Sequence, residues 1–429
     1  HPHREVRAVT YVSGGRRVVV TGLGAVTPLG ADMPTYWRRL VAGDSGVGPV
    51  TLFEPGDLTS RIAGEVTDFD PSVVLDRKEI RRNDRTTQMA LVSIREAMTD
   101  AGLPERLEGE EAEATGVLMA SGLGGTNTLI EQIVTTRIDG PNRVSPFFIP
   151  MAIANMPSGV AGITFGALGP NYSTTSACAS SGHSLGESYE IIKRGDADVM
   201  LAGGCEAPVV DATVAGFSRM KALSTRNDDP EAASRPFDAE RDGFVVAEGA
   251  GALVLEELEH AQRRGARIYA EVCGYGATAD GHHITTPSPG GSGAVRAARR
   301  ALEKAGMAPA DIDLVSAHAT STGEGDPTEL MGINTLVGEH AADVSVTATK
   351  SSIGHTLGAA GAVAAVATVK ALDDGVVPPT LNLHQPDERA GALDLTPLTA
   401  RERQLDVALV NAFGFGGQNS AVILQRWGA

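Results

Sequence analysis

The chain has 429 residues, 42% hydrophobic and 21% charged, a balance typical of folded globular proteins rather than disordered chains. This length exceeds one ordinary domain and predicts two domains or one doubled fold. Because 36 Lys and Arg face 53 Asp and Glu, the net charge is −17, which argues against general binding to nucleic acid or to an anionic membrane.

Short β-branched runs alternate with longer helical patterns along the chain. The predicted buried strands are residues 17–21, 116–120, 199–202, 312–317, 344–347 and 407–410. The predicted helices are residues 84–101, 184–194, 294–305 and 358–372. Strands separated by helices require crossover connections, so the pattern predicts an α/β fold.

Two stretches, 171–194 and 344–372, share one order: a strand, a turn of small residues and a helix. Each stretch has a reactive residue, Cys178 or Lys350, where the strand gives way to the helix. Two similar halves, residues 17–266 and 267–427, would explain the length without a linker. From these residues alone, an undivided arrangement remains an equal alternative.

The chain has three cysteines, Cys178, Cys205 and Cys273. They lack CxxC or Cys/His spacing, so the sequence predicts no disulfide framework and no metal site, and it favours a reducing, cytoplasmic location. The most apolar long stretch, residues 359–372, is too short to span a bilayer. Residues 1–16 begin with His rather than Met and are interpreted as an extension or a cloning remnant.

Cys178 lies in the small-residue segment TSACASS, where a substrate could approach the thiol closely. A helix beginning near residue 179 would favour the thiolate through its dipole and would offer N–H donors to an oxyanion. The alternative is a buried structural thiol, the ordinary role of a lone cysteine. Cys205 and Cys273, in strand-like surroundings, are expected to be structural.

Other polar residues at strand ends form a candidate set with Cys178. His318 ends a strand, and Lys350 and His355 flank a turn before a helix, where an imidazole is expected to be neutral. Considered singly, each residue has a purely structural alternative, a hydrogen-bonded core histidine or an ordinary surface lysine. Phe415 lies in the turn GFGG, which is either a plain hairpin or a loop that moves an aromatic gate.

Two weaker motifs are set aside. The GxSxG pattern at 182–186 places Ser184 inside a helix rather than after a strand, which argues against an α/β-hydrolase elbow. The glycine pair at 22–27 lacks the third glycine of a dinucleotide loop and is followed by Pro28. His282 and His283 are adjacent and have no convincing metal spacing.

Several long motifs occur in order: VVVTGLGAVTPLG at 18–30, GPNRVSPFFIP at 140–150, TSACASS at 175–181, HATSTGEGD at 318–326, KSSIGHTLGAAGA at 350–362 and NAFGFGGQNS at 411–420. On these residues the chain resembles the β-ketoacyl-acyl carrier protein synthases, most closely the synthase II type of fatty acid elongation. The resemblance covers residues 17–425 and implies a thiolase fold, five αβαβα layers built from two related halves.

The resemblance also implies a mechanism. Cys178 matches the family's nucleophile, which takes the acyl chain as a thioester. His318 and His355 match the histidines that hold the malonyl thioester oxygen and assist decarboxylation. Lys350 matches the lysine that supports the site electrostatically, and Glu329 matches its acidic partner. No metal or resident cofactor is implied, because the substrates arrive on the 4′-phosphopantetheine arm of acyl carrier protein.

Further positions follow from the resemblance alone. Phe415 corresponds to the gating phenylalanine, and its N–H and that of Cys178 would hold the oxyanion. The expected acyl-pocket residues are Leu123 and Phe217. The expected pantetheine contacts are Thr320, Thr322 and Thr285. The expected carrier-docking residues are Lys78, Arg81, Arg82 and Lys221, three of them in the densest basic cluster, residues 77–82.

One alternative stays open. Ala319 after His318 and the divergent stretch 323–332 depart from the family pattern and leave the acyl-chain preference undecided. A ketosynthase subunit of a type II polyketide synthase, paired with a chain-length factor, would carry the same catalytic set. The fatty acid type implies a homodimer and the polyketide type a heterodimer. Neither reading involves nucleic acid or a membrane.

Overall fold

The computed structural model describes residues 15–429, so most of the expected N-terminal extension lies outside the described residues. Its strands are β1 (Val18–Val26), β2 (Val47–Pro49), β3 (Ile62–Gly64), β4 (Thr115–Ala120), β5 (Asn171–Tyr172), β6 (Val199–Glu206), β7 (Gly249–Glu257), β8 (Ala270–Ala279), β9 (Leu314–Ser316), β10 (Ser345–Thr347), β11 (Val376–Val377), β12 (Arg401–Glu402), β13 (Val407–Gly414) and β14 (Gln418–Arg426). Its helices are α1 (Met33–Ala42), α2 (Arg77–Ile80), α3 (Arg85–Asp100), α4 (Gly109–Ala114), α5 (Thr126–Ile138), α6 (Phe148–Ala152), α7 (Met156–Phe165), α8 (Ser180–Arg194), α9 (Asp211–Arg219), α10 (Leu258–Arg263), α11 (Ser292–Ala305), α12 (Gly325–Val337), α13 (Lys350–Ile353) and α14 (Ala360–Asp374).

Ten strands form one sheet in the order β10-β9-β13-β14-β8-β1-β7-β6-β4-β5. The halves meet where β1 pairs antiparallel with β8, Val18 opposite Val272. Numbered separately in chain order, the five strands of each half follow the same order from edge to junction, 3-2-4-5-1. The chain is therefore built from two related halves. We propose the boundary at residues 266/267, between α10 and β8.

The helices form three layers around the two halves of the sheet. Helices α3 and α7 pack on the outer face of the first half, and α11 packs on that of the second, with α12 beside it. Helices α8 and α14 lie between, because α8 contacts β4 and β6 of one half and β13 and β14 of the other. Helix α14 is almost wholly buried there. The layers therefore alternate as αβαβα.

The central helices approach closely because small residues line their contact. A Cβ atom on Gly361 of α14 would lie 2.7 Å from the backbone nitrogen of Gly182 in α8, closer than packed atoms tolerate. Beside this contact, the Ala362 N–H donates to the Ser181 hydroxyl at 2.9 Å. The Ala- and Gly-rich stretch 359–372 thus forms a tightly packed core helix. Among the described residues, no helix is both long and apolar enough to cross a bilayer.

The structure contains all of the predicted strands and helices, with shifted ends, and corrects one segment. The expected strand before Cys178 pairs only at Asn171–Tyr172, and α8 begins at Ser180 rather than at residue 184. The glycine-rich strands β7, β8 and β14 were not predicted as full strands. Residues 22–26 lie inside β1, which rules out a dinucleotide loop there.

A buried cluster of charged side chains links β1, β7 and α10 in the first half. The fully buried Glu256 accepts hydrogen bonds from the Thr21 hydroxyl, His260 and Arg264. On its other side, His260 lies 3.3 Å from the Glu111 carboxylate. These two carboxylates, Glu111 before Glu256, raise the pKa of His260 to about 9. The imidazolium is therefore the form that the fold stabilises.

The raised pKa predicts how stability changes with pH. Because the folded-state pKa exceeds the unfolded value near 6.5, the stabilisation is complete below pH 6.5 and is lost as pH rises through 9. We expect His260→Gln to lower stability by on the order of 1 kcal/mol at pH 6 and to match wild type near pH 10. Thermal unfolding across this range checks it, with His384→Gln as an exposed control. A stability difference between His260→Gln and wild type that widens as pH rises would contradict the raised pKa of His260.

Candidate active site

One cavity of about 340 Å³ lies where the two halves meet. The predicted residues that line it are Cys178, Phe217, Lys221, Thr285, His318, Thr320, Thr322, Glu329, His355 and Phe415. They come from separate parts of the chain, on both sides of the proposed boundary. The structure therefore brings together most of the candidate set.

Cys178 lies at the start of α8, just before the helix-capping residue Ala179. The preceding Ala177 has φ 50°, a left-handed conformation that a side chain rarely adopts. The turn is held by the Ser180 hydroxyl, which donates to the Ala177 carbonyl at 2.6 Å, while the Ser176 N–H donates to the Ser180 oxygen at 2.8 Å. This local network aims the Cys178 thiol away from the helix and into the cavity.

The imidazole rings of His318 and His355 pack edge to face in the cavity, and the two residues come from separate loops. Their ring centroids are 5.4 Å apart with an interplanar angle of 86°. His355 follows α13, and its backbone N–H donates to the Val245 carbonyl at 2.7 Å. Phe244 packs against His355, and Phe413 packs against His318. Apolar rings thus surround both imidazoles.

Glu329 positions His318 through the backbone. Its carboxylate accepts the N–H groups of His318 at 2.8 Å and of Ala319 at 2.7 Å. The Asn411 amide donates to the same carboxylate at 3.1 Å. Because α12 carries Glu329 and β13 carries Asn411, the histidine loop is tied to two rigid elements of the second half.

Asp326 is a site residue that sequence reasoning missed. This buried carboxylate accepts the backbone N–H groups of Thr320, Ser321 and Thr322, so it holds the threonine loop in place. Burial raises its pKa to about 6. Its position at the first turn of α12 could have indicated such a role, because helix N-termini favour carboxylates.

The Phe415 loop closes one side of the cavity. It is the turn between β13 and β14, and Phe415 is 37% exposed. A Cβ atom on Gly414 would lie 2.4 Å from the Ser176 carbonyl, so the loop passes directly against the turn of residues 176–180 that carries Cys178, called the nucleophile turn below. The Gly416 N–H donates to the Ile284 carbonyl at 2.7 Å. Phe415 is therefore held beside Cys178 by a few backbone contacts.

Some predicted residues lie elsewhere. Leu123 is 45% exposed and does not line the cavity within the described chain. Lys350 is 4% exposed and lies behind the cavity wall as the first residue of α13. Lys78, Arg81 and Arg82 are exposed on and after α2, outside the cavity. Ser184 is buried inside α8, which rules out the hydrolase elbow.

Burial controls the protonation states. It raises the pKa of Cys178 to about 12, although the nearby Lys350 cation opposes this shift. It lowers the pKa of Lys350 to about 8, against the attraction of Glu329. It also lowers the pKa values of His318 and His355 well below 6.5. At neutral pH the cavity therefore holds a thiol and two neutral imidazoles, and Lys350 behind its wall is still mainly a cation.

This arrangement suits acyl transfer through a cysteine. Neutral imidazoles can accept the thiol proton and can donate hydrogen bonds to an enolate oxygen without protonating its carbon. Among the described residues, no cluster of three His, Cys, Asp or Glu side chains could hold a metal. The chemistry that the described side chains offer is nucleophilic and electrostatic.

Comparisons with known proteins assign the chain to a family. Residues 15–261 match the family described as beta-ketoacyl synthase, N-terminal domain, and residues 269–384 match its C-terminal domain. A 3-oxoacyl-[acyl-carrier-protein] synthase 2 of Synechocystis is 46% identical over 96% of this chain and 98% of its own length.

Solved structures show the same architecture. A beta-ketoacyl synthase from Burkholderia phymatum superimposes with a TM-score of 0.89 at 36% identity, covering 96% of this chain and 99% of that one. A type II polyketide ketosynthase in complex with its acyl-carrier protein gives 0.88 at 32%, covering 96% and 100%. These neighbours and the five layers confirm the predicted thiolase fold with two related halves.

The cavity predicts selective modification of one thiol. We expect iodoacetamide to modify Cys178 alone, because Cys205 is fully buried, and burial and the neighbouring Glu271 carboxylate raise the pKa of Cys273, whereas Lys350 opposes the raised pKa of Cys178. Since burial raises the pKa of Cys178 to about 12, the alkylation rate should rise between pH 7 and 10 without a plateau. Intact-mass kinetics measure this, and Cys178→Ala should give no adduct.

A companion variant tests the influence of lysine. Lys350→Met should slow alkylation at a fixed pH, because it removes the cation that opposes the raised pKa of Cys178. A plateau below pH 8, or an adduct on Cys273 in place of Cys178, would contradict the described protonation states.

Proposed function

Because this chain belongs to the beta-ketoacyl synthase family, we propose how its cavity performs the family's condensation. The enzyme is a β-ketoacyl-[acyl carrier protein] synthase of the synthase II type, an acyltransferase of fatty acid elongation. It joins an acyl chain to malonyl-acyl carrier protein with loss of carbon dioxide. The observation that carries the proposal is the convergence of Cys178, His318 and His355 on one cavity.

The first half-reaction loads the acyl chain. The Cys178 sulfur attacks the thioester carbonyl of acyl carrier protein, and the thiol proton passes to a neutral imidazole. The carbon–sulfur bond to pantetheine then breaks, and its sulfur takes that proton and leaves as a thiol, so the imidazole is neutral again. The backbone N–H groups of Cys178 and Phe415 face the developing oxyanion. Lys350 stabilises the thiolate as it forms, because its cation opposes the raised pKa of Cys178. The product is an acyl-cysteine thioester.

The second half-reaction forms the carbon–carbon bond. Malonyl carrier protein binds with its thioester oxygen between His318 and His355. The bond to the carboxyl carbon breaks, carbon dioxide departs, and the electron pair stays on the α-carbon as an enolate. That carbon attacks the acyl-cysteine carbonyl, and collapse of the tetrahedral intermediate expels the Cys178 thiolate. The released chain is two carbons longer and carries a β-ketone.

The substrates arrive on the phosphopantetheine arm of acyl carrier protein. Thr320 and Thr322, whose hydroxyls are 3.1 Å apart, line the cavity together with Thr285 and offer hydroxyl contacts to that arm. The edge-to-face ring pair of Phe217 and Phe244, with centroids 5.2 Å apart, provides apolar surface for the acyl chain. No metal or resident cofactor takes part in these steps.

Fatty acid elongation is favoured over polyketide synthesis. The Synechocystis relative, named 3-oxoacyl-[acyl-carrier-protein] synthase 2, is 46% identical, whereas the polyketide ketosynthase is 32% identical. All three catalytic side chains are present, as expected for an active ketosynthase rather than a chain-length factor. On the difference in identity, we propose that the enzyme works without a separate chain-length subunit.

We propose that the enzyme is a homodimer in the cytoplasm, a reducing compartment that keeps its nucleophile as a thiol. Strand β5 is an unpaired sheet edge, and exposed apolar residues cover the neighbouring helices α5, α6 and α7. These residues are Leu129, Ile133, Val134, Ile138, Ile149, Ile153 and Ile163. A surface of this kind favours burial against a second copy. The exposed Leu123 would be covered there and would line the acyl pocket only in the dimer.

Decarboxylation is expected to depend on both histidines. His318→Ala and His355→Ala should slow malonyl decarboxylation by roughly a hundredfold or more, because each removes a donor to the enolate oxygen. Acyl loading of Cys178 should fall much less. Intact-mass kinetics follow loading, and carbon dioxide release follows decarboxylation. Condensation at the wild-type rate by either variant would contradict these roles.

Carrier docking is expected to depend on a local basic patch, because acidic carriers meet an enzyme of net charge −17. The proposed patch comprises Lys78, Arg81, Arg82 and Lys221, all exposed. Charge reversal at Arg81 and Arg82 should raise KM for carrier-bound substrates by roughly tenfold, and added salt should weaken wild-type binding.

Small pantetheine thioesters provide the control for this variant. They need no protein docking, so their turnover should stay close to wild type. Equal losses on carrier-bound and small substrates would place the defect in folding or in the cavity and would overturn the docking patch.

A further inference from the structure

A buried carboxylate outside the described mechanism links the two sides of the active site. Glu206, the last residue of β6, is fully buried. It accepts hydrogen bonds from the Ser121 hydroxyl at 2.6 Å and from the backbone N–H groups of Gly122 at 2.7 Å and Leu123 at 3.1 Å. The Gly358 N–H, from the second half of the chain, donates at 3.0 Å. Burial raises the pKa of Glu206, but the four partners all donate, and their hydrogen bonds oppose that shift by stabilising the carboxylate anion.

On one side, Glu206 reaches the nucleophile turn. It fixes residues 121–123, and the Ser121 carbonyl accepts the Thr175 hydroxyl at 3.1 Å. Thr175 belongs to the segment that leads into Cys178. The loop after β4 therefore supports the nucleophile turn, and Glu206 supports that loop.

On the other side, Glu206 reaches the histidine segment. Gly358 lies three residues after His355, and the intervening Leu357 lines the cavity in a left-handed conformation with φ 46°. A non-glycine residue persists in this conformation only where its surroundings hold it. The bond from Gly358 to Glu206 is one such restraint, because it anchors the backbone just beyond Leu357.

We propose that Glu206 is a positioning residue that ties the Cys178 turn to the His355 segment and so sets their separation for condensation. The inference rests on the proposed function, since it assigns both segments to one reaction. A glutamine cannot replace this carboxylate, because its NH₂ group would face N–H donors instead of accepting from them. The neighbouring anion also raises the pKa of Cys178, which gives the interaction a second, electrostatic signature.

Glu206→Gln separates these effects from a general loss of structure. We expect kcat for condensation to fall by roughly tenfold or more, because a small displacement of reacting groups is costly. KM for carrier-bound substrates should stay within about twofold, because the docking surface is untouched. The pH profile of Cys178 alkylation should move to lower pH, because an anion beside the thiol is removed. Because partial unfolding would also lower kcat and expose the thiol, both readouts are taken well below the unfolding temperature and are compared with a variant of equal burial.

Glu256→Gln is the matched control. Glu256 is also fully buried, lies on the paired strand β7, and is bonded by Thr21, His260 and Arg264 away from the cavity. This variant should lose thermal stability, yet its kcat and its alkylation profile should match wild type at temperatures well below unfolding.

If Glu206→Gln does not fold, Ser121→Ala tests the positioning role of Glu206 instead. It removes one donor and leaves the anion, so kcat should fall by roughly threefold while the alkylation profile stays in place. Wild-type kcat in Glu206→Gln, or in Ser121→Ala where the first variant is unfolded, would overturn the inference. Losses that follow thermal stability equally in the Glu206 and Glu256 variants would also overturn it. Wild-type protein without condensation activity would instead contradict the proposed function.

Discussion

The close contact between α8 and α14 is the constraint on which the active site depends. Gly182 and Gly361 meet without intervening side chains, and Ala412 of β13 lies against the same point, 2.9 Å from where a Gly182 Cβ would stand. Helix α8 begins just after Cys178, and the segment leading into α14 contains His355. Because the two helices are locked together between the sheets, the nucleophile of one half faces the histidine of the other. A larger residue at this contact would separate the halves and enlarge the cavity.

Burial then creates the chemistry. Phe217, Phe244 and Phe413 line the cavity, and burial there disfavours charge: the thiol keeps its proton and both imidazoles are neutral. Behind the cavity wall, burial also lowers the pKa of Lys350 to about 8. Carboxylates survive in these surroundings only where backbone N–H groups surround them. Glu206, Asp326 and Glu329 are each held in this way, and each uses its donors to fix a loop of the site. The polar network therefore organises loops, while the apolar rings control protonation.

Sequence reasoning predicted the parts of the molecule that have strong local patterns. The β-branched runs identified β1, β4 and β6, and the motifs around Cys178, His318 and His355 identified the reactive side chains. It did not predict β7 and β8 as full strands, because the runs GAGALVLEE and AEVCGYGATA contain glycines that close contact with neighbouring helices requires and that weaken the strand pattern. It predicted a strand over residues 172–177, where the hydroxyls of Ser173, Thr174 and Thr175 instead donate to backbone carbonyls, as Ser173 does to Met119 at 2.9 Å. Glu206 was not identified, because its partners are distant in sequence. Asp326 was also missed, although the N–H groups of the threonine loop that it accepts lie close to it in the chain.

The central claim is that this cavity forms a carbon–carbon bond through an acyl-Cys178 intermediate. The most direct measurement incubates the enzyme with an acyl carrier protein substrate and malonyl carrier protein labelled with ¹³C at the methylene and free carboxyl carbons, followed by mass spectrometry of enzyme and products. The account predicts one acyl adduct on Cys178 and a β-ketoacyl product two carbons longer, with the methylene label retained and the carboxyl label released as carbon dioxide. Release of the unextended acyl chain as a free acid, or a product that retains the carboxyl label, would contradict it.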